Sequence, residues 1–197
     1  QLEKCRVDYF DFYLLHNVCE NSFDTYKDER WGIIDYFKEQ KKLGRIKHLG
    51  LSSHATAEHL VEILDYLGDD MEFCQIQLNY IDWTLQEGEA KVAELNRRGL
   101  PMIIMESVRG GKLADLGEEN NARLKAERPD ASITSWALKW LEQVDGVKVI
   151  LSGMSNYDQM VDNVSTFEDP APLTAEQNAL IMEIAAGMQA GVPCTAC

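Results

Sequence analysis

The sequence predicts an α/β protein built on a parallel sheet, and its periodicity and its polar residues carry the prediction. Five short runs rich in β-branched and aromatic residues recur along the chain, each bounded by turn or charge signals. Segments with helical apolar spacing separate them, the alternation expected of right-handed βαβ units. Polar residues gather at or just past the C-terminal end of each run, the edge where strand ends and helix N-termini of parallel α/β proteins face a common crevice.

The five runs are Asp8–Leu15, Ile46–Leu51, Phe73–Leu78, Met102–Met105 and Val147–Leu151. Between the first two, Trp31–Leu43 places Trp31, Ile34 and Phe37 at steps of three, and Gly44 follows as a stop. Ala57–Leu67 aligns Leu60, Ile63, Leu64 and Leu67 before Gly68, and Glu87–Arg98 ends at Gly99. Ile133–Gln143 is apolar on one side through Ile133, Trp136, Ala137 and Trp140, with Asp130 or Ser132 as cap candidates. Asn156–Thr166 and Thr174–Met188 complete the helices, Thr174 and Gln177 having capping-box spacing. Asp169–Leu173 is the Pro-rich break, so the expected division is an alternating body over residues 1–169 and, over 170–197, the last helix with the start of a cysteine-rich segment. An open doubly wound sheet and a piece of a (β/α)8 barrel, whose full form needs about 250 residues, both fit this order. No G-x-G-x-x-G follows the first run, which removes support for the dinucleotide-binding open fold.

Composition narrows the function classes. The chain has 197 residues with 19 Lys+Arg against 33 Asp+Glu, a net charge of −14, which argues against a phosphate-backbone binder and so against a nucleic-acid partner. No apolar run approaches the roughly 18–20 residues that span a bilayer, and a soluble, cytoplasmic protein without a membrane partner is expected. Of five cysteines, Cys5, Cys19 and Cys74 are scattered singly, as in a reduced protein rather than a disulfide framework.

At the strand mouths stand His16, then Ser52, Ser53 and His54, then Gln77 and Asn79, then Glu106 and Ser107, and lastly Ser152 and Gly153. An imidazole at His16 can polarise a carbonyl or relay a proton, while a lone histidine is more commonly structural. Glu106 is an acid or base candidate, or a plain surface carboxylate. His54 and His59 have a poor spacing for joint metal ligation. Val108, Arg109, Gly110, Gly111 and Lys112 form a Gly-pair loop able to cradle a phosphate through backbone N–H groups. Asn163 begins an N-x-S acceptor that is idle without secretory features. Cys194 and Cys197 form C-x-x-C, which fits one edge of an iron–sulfur cluster, a zinc site or a redox pair.

These pieces occur in an order that resembles the aldo-keto reductases. Val7–His16 is similar to that family's V-D-x-x-D-x-Y-L-L-H strand, and Gly44–His54 to its G-K-I-R-x-I-G-(V/F)-S segment. Ile76–Tyr80 resembles V-Q-x-x-Y, and Met105–Leu113 the (E/S)-P-x-x-G-G-x-L loop. Gly153–Asn163 fits G-x-x-x-x-x-Q-x-x-(E/D)-N at every spaced position. The tail from Val192 resembles the start of the C-T-x-C-x-x-C segment of members carrying a ferredoxin-type [4Fe–4S] cluster.

The resemblance implies a partial (β/α)8 TIM barrel, strands four to eight with their helices, using NADPH or NADH to reduce a small-molecule aldehyde or ketone. It makes His16 the histidine that hydrogen-bonds the substrate oxygen. Ser52, Ser53 and Gln77 would hold the nicotinamide carboxamide, with Ser53 where many members have Asn. Met105 stands where many members place a stacking Tyr. Val108, Arg109 and Gly110 would line the pyrophosphate loop, and Gly153, Ser155, Gln159 and Asn163 would meet the adenosine. Cys194 and Cys197 would be the first two cluster ligands. Gly153, Ser155 and Gln159 carry no charge where NADPH-selective members often have Lys or Arg, which leaves NADH as plausible as NADPH. The family's catalytic Asp, Tyr and Lys lie on strands ahead of the His strand. The chain opens on Gln1 and stops on Cys197, so the expectation is a fragment, inactive alone, that self-associates through unpaired barrel edges. A non-catalytic nicotinamide-binding or regulatory module and an iron–sulfur electron-transfer protein are the competing readings.

Overall fold

A computed structural model describes residues 1–189. Five parallel strands pair in sequence order: β1 (Phe10–Leu15), β2 (Ile46–Ser53), β3 (Cys74–Gln77), β4 (Met102–Met105) and β5 (Val147–Ile150). Around them lie α1 (Leu2–Cys5), α2 (Phe23–Lys27), α3 (Ile33–Lys42), α4 (Ala57–Leu67), α5 (Asp82–Leu85) and α6 (Gly88–Arg97). The C-terminal part adds α7 (Glu118–Glu127), α8 (Ile133–Glu142), α9 (Tyr157–Glu168) and α10 (Ala175–Gln189). None of the described helices is long and apolar enough to cross a membrane. The chain forms two compact units, residues 1–76 with 89–103 and residues 77–88 with 104–197.

In the first unit β1 begins at Phe10 rather than Asp8, because pairing starts where Phe10 meets Ile46 and its N–H reaches the Arg45 carbonyl at 2.9 Å. β2 runs two residues past the expected Leu51, since Ser52 and Ser53 stay in register with Gln75 and Ile76. α3 starts at Ile33 instead of Trp31: Gly32 takes a left-handed φ of 53° at the N-cap and Trp31 is left exposed. α4 has the expected bounds, and its Leu60, Ile63, Leu64 and Leu67 are all buried. Gly50 is required by packing. A Cβ there would sit 2.6 Å from the Phe73 ring and equally close to the Phe73 carbonyl oxygen.

In the second unit α8 is the central core helix, burying every residue from Ser135 to Leu141. Trp140 packs edge-on against Trp83 with ring centroids 5.4 Å apart. α10 follows the Asp169–Leu173 break, and its Glu183 pairs with Arg123 of α7 at 2.9 Å. α7 itself has no sequence signature, because only Leu124 of its ten residues is buried and no apolar stripe exists. α1, α2 and α5 are single turns, too short for a 3.6-residue period to register.

Burial pushes the Glu72 carboxyl up, but hydrogen bonds from Lys41, His48 and the Leu49 N–H outweigh it and hold its pKa near about 2. A folded pKa below the ordinary 4.5 stabilises the protein above that value, and the contribution is lost as pH falls through about 2. Urea titrations should therefore show Glu72→Gln flattening the loss of stability between about pH 5 and about pH 2. An unchanged slope would remove Glu72 from the account. Gly50→Ala should destabilise by about 1–3 kcal/mol, measured the same way at neutral pH, since a backbone carbonyl cannot give way as a side chain can.

Candidate functional site

The first unit contributes the mouth of β1 and β2. His16 follows Leu15 and is exposed, its carbonyl accepting a 2.8 Å hydrogen bond from the Tyr26 hydroxyl. The next residue, Asn17, has a φ of 52°, so the chain leaves the strand abruptly. Ser52 and Ser53 are both buried and hold this loop from below. Asn17 N–H donates to Ser52 Oγ at 2.8 Å, and Val18 N–H to the Ser52 carbonyl at 2.8 Å. Ser53 Oγ donates to the Val18 carbonyl at 2.8 Å and accepts from Ala55 N–H at 3.1 Å. Both serines are thus tied into the fold in addition to any ligand they meet.

The second unit carries a cavity of about 350 Å³ behind the loop that follows β4. Met105, Val108, Gly110, Gly153, Gln159 and Asn163, all singled out from sequence, line it. Backbone conformation shapes this loop. Glu106 and Arg109 have φ of 57° and 49°, and Gly110 and Gly111 of 59° and 88°. Among the described residues only five non-glycines have positive φ, and Asn17, Glu106 and Arg109 all follow strand ends. Each costs on the order of 1–3 kcal/mol, and the turn closes on itself, the Arg109, Gly111 and Lys112 N–H groups donating to the Glu106, Val108 and Arg109 carbonyls at 3.0, 3.0 and 3.1 Å. Ser107 Oγ ties the loop to the residue after β5, donating to the Leu151 carbonyl at 2.5 Å. Asn163 Nδ2 donates to Ser152 Oγ at 2.7 Å, and Gln159 Oε1 accepts from Ser155 N–H at 2.7 Å.

Three nominated residues of this unit stand apart from the cavity wall. Ser155 is exposed, in contact with Gln159. The Arg109 side chain is turned inward, 1% exposed, with Nη2 3.5 Å from Oδ1 of the fully buried Asp82. None of its three nitrogens makes a hydrogen bond. Gln77 is buried too and donates from Nε2 to Asp82 Oδ2 at 2.8 Å.

Three carboxylates of this region were not assigned a binding role from sequence. Glu106 and Asp162 line the cavity, and among the described residues no Lys or Arg does. Asp82 gathers Gln77, Asn79 and Arg109. Its signal was available: a lone carboxylate between Ile81 and Trp83, in an apolar stretch, must be buried with partners. Cys194 and Cys197 lie outside the described residues. Among the described residues no group of three or more His, Cys, Asp or Glu is placed to hold a metal ion.

The family model for the aldo/keto reductase family matches residues 1–186. The chain belongs to the aldo/keto reductase family. No curated protein matches the sequence. Among solved structures, the holo form of aldo-keto reductase AKR11C1 from Bacillus halodurans is 23% identical with a TM-score of 0.71, over 93% of this chain and 61% of that one. An aldo/keto reductase from Brucella melitensis is 19% identical with a TM-score of 0.70, over 93% and 63%. One from Klebsiella pneumoniae, solved with NADP and acetate, is 16% identical with a TM-score of 0.71, over 93% and 62%. The reductase fold is therefore shared, and the chain spans about three fifths of the length of these structures. They are (β/α)8 barrels, which the α/β order and the parallel sheet match.

Ser53→Ala should cost about 1–2 kcal/mol in chemical denaturation, because the Val18 carbonyl and the Ala55 N–H lose a buried partner together. Retained stability would place those groups against solvent instead.

Proposed function

We propose that the protein carrying this chain is an NAD(P)H-dependent oxidoreductase that reduces aldehyde or ketone carbonyls. The observation that carries the reading is the cavity behind β4, where six residues nominated by the family resemblance line one space. A bound nicotinamide would supply the hydride. His16 donates a hydrogen bond to the substrate oxygen and so stabilises charge developing there. Ser52, Ser53 and Gln77 hold the carboxamide, and Met105 offers a thioether to the ring. Val108 and Gly110 face the diphosphate with their backbone, and Arg109 shapes the loop from behind, its side chain turned to Asp82 and its N–H donated to the Glu106 carbonyl at 3.0 Å. Gly153, Ser155, Gln159 and Asn163 take the adenosine. The five strands correspond to the fourth to eighth of a (β/α)8 barrel, and the proton donor comes from outside them.

The wall favours NADH. A 2′-phosphate on the adenosine side would lie toward Asp162, and among the described residues no Lys or Arg lines the cavity to offset that charge. Carbonyl-dependent oxidation by the intact protein should show a KM for NADH no higher than for NADPH. His16→Ala should lower kcat roughly 100-fold or more, with cofactor affinity unchanged. Absence of any carbonyl turnover alongside retained cofactor binding would favour the non-catalytic binding module. The 197-residue chain alone should bind nucleotide without turnover, and sedimentation should show self-association through the outer edges of β1 and β5. A brown intact protein with stoichiometric iron and sulfide would extend the reading to the [4Fe–4S] subgroup, for which Cys194 and Cys197 supply half of the four thiolates. Iron-free protein would leave the cysteines out of the function.

A further inference from the structure

We infer that Tyr26 and Ser22 are positioning residues for His16, their hydroxyls fixing the bend of main chain that carries the imidazole at the exit of β1. The inference rests on the role proposed for His16 above and deepens it.

His16 is exposed, so close packing does not hold its side chain and the placing of the imidazole falls to the backbone. That backbone bends sharply. Register with β2 ends at Leu15, and Asn17 takes a φ of 52°. Two consecutive carbonyls at the bend are met by hydroxyls of one short segment. Tyr26 Oη donates to the His16 carbonyl at 2.8 Å, and Ser22 Oγ donates to the Asn17 carbonyl at 2.6 Å. Ser22 Oγ also accepts from the Cys19 N–H at 3.0 Å, closing the turn from its other side. Ser22 is the N-cap of α2 and Tyr26 lies one turn further on, a spacing that puts both hydroxyls on one side of the helix. Burial, with Tyr13 nearby, pushes the Tyr26 hydroxyl above its ordinary range, which keeps it protonated and donating.

The segment that carries the hydroxyls is itself anchored. The Ser22 and Phe23 N–H groups both donate to the Cys19 carbonyl, at 2.9 and 2.8 Å. Phe23 is buried, its ring edge-on to Tyr66 of α4 with centroids 5.5 Å apart. Glu20 ties the same loop to the start of α4, its Oε1 accepting from the Thr56 N–H at 2.8 Å. Ser52 and Ser53 fix Asn17 and Val18 from the end of β2, and Tyr26 completes the hold at His16. A group that orients a substrate oxygen needs such support from rigid neighbours.

The test is a double-mutant cycle in the intact protein, reading oxidation of NADH or NADPH with para-nitrobenzaldehyde or methylglyoxal as the carbonyl. Tyr26→Phe should lower kcat roughly three- to tenfold, the worth of one hydrogen bond, with KM for the nucleotide within about twofold of the unaltered protein. Once His16→Ala is in place, the same change should cost less than about twofold, because the group it positions is gone. A loss of general structure would lower the rate by the same factor in both backgrounds. That additive result overturns the inference and leaves the His16 role standing, and so does an unchanged kcat in Tyr26→Phe. A His16→Ala variant as active as the unaltered protein overturns the proposed role and the inference with it. No turnover of either carbonyl with either nucleotide does the same. Should Tyr26→Phe fail to fold, Ser22→Ala runs the cycle under the same criteria.

Discussion

A carboxylate wholly removed from water needs compensating donors or charge, and Asp82 finds two amide donors on Oδ2 and the Arg109 guanidinium 3.5 Å from Oδ1. Burying an isolated ion costs several kcal/mol, so the fold must bring charge and N–H groups to it. Gln77 and Asn79 come from the end of β3 and the residues after it, and Arg109 from the loop after β4. The loop can reach inward only because Arg109 adopts a left-handed backbone beside two glycines that do the same. One buried charge thereby couples the exit of β3 to the conformation of the loop that forms the cavity.

The distance between Arg109 and Asp82 is itself informative. At 3.5 Å the pair is an ion pair without a hydrogen bond, and the guanidinium nitrogens carry no other partner. A buried arginine with unused donors is a costly arrangement that a bidentate contact would improve. Within the candidate diphosphate loop it sets a cation behind the cavity wall, between the lining residues Val108 and Gly110, rather than on it.

An acidic chain with a net charge of −14 has no long-range field to draw in an anionic cofactor. Any affinity of this chain for a dinucleotide would then rest on short-range contacts. In the first unit the same economy applies at the exit of β1. There Ser52 and Ser53 bind the following turn through the backbone of residues 17, 18 and 55, so the position of His16 depends on side chains at the end of a neighbouring strand.

Much of this was legible in the residues. Alternating β-rich and amphipathic runs fixed the α/β order, and β4 and α4 have the bounds that their patterns imply. The polar residues at strand ends pointed to the edge where the cavity after β4 is found, and Val108 to Lys112 were nominated as a loop able to cradle a phosphate. What escaped the sequence depended on contacts distant along the chain. α7 could not be read because only Leu124 faces the core. The inward turn of Arg109 was hidden because a guanidinium beside glycines looks like a ligand group until its partner 27 residues earlier is known. Periodicity reports which face of a segment is buried; it says nothing of which buried charges meet, and that choice the tertiary structure alone made.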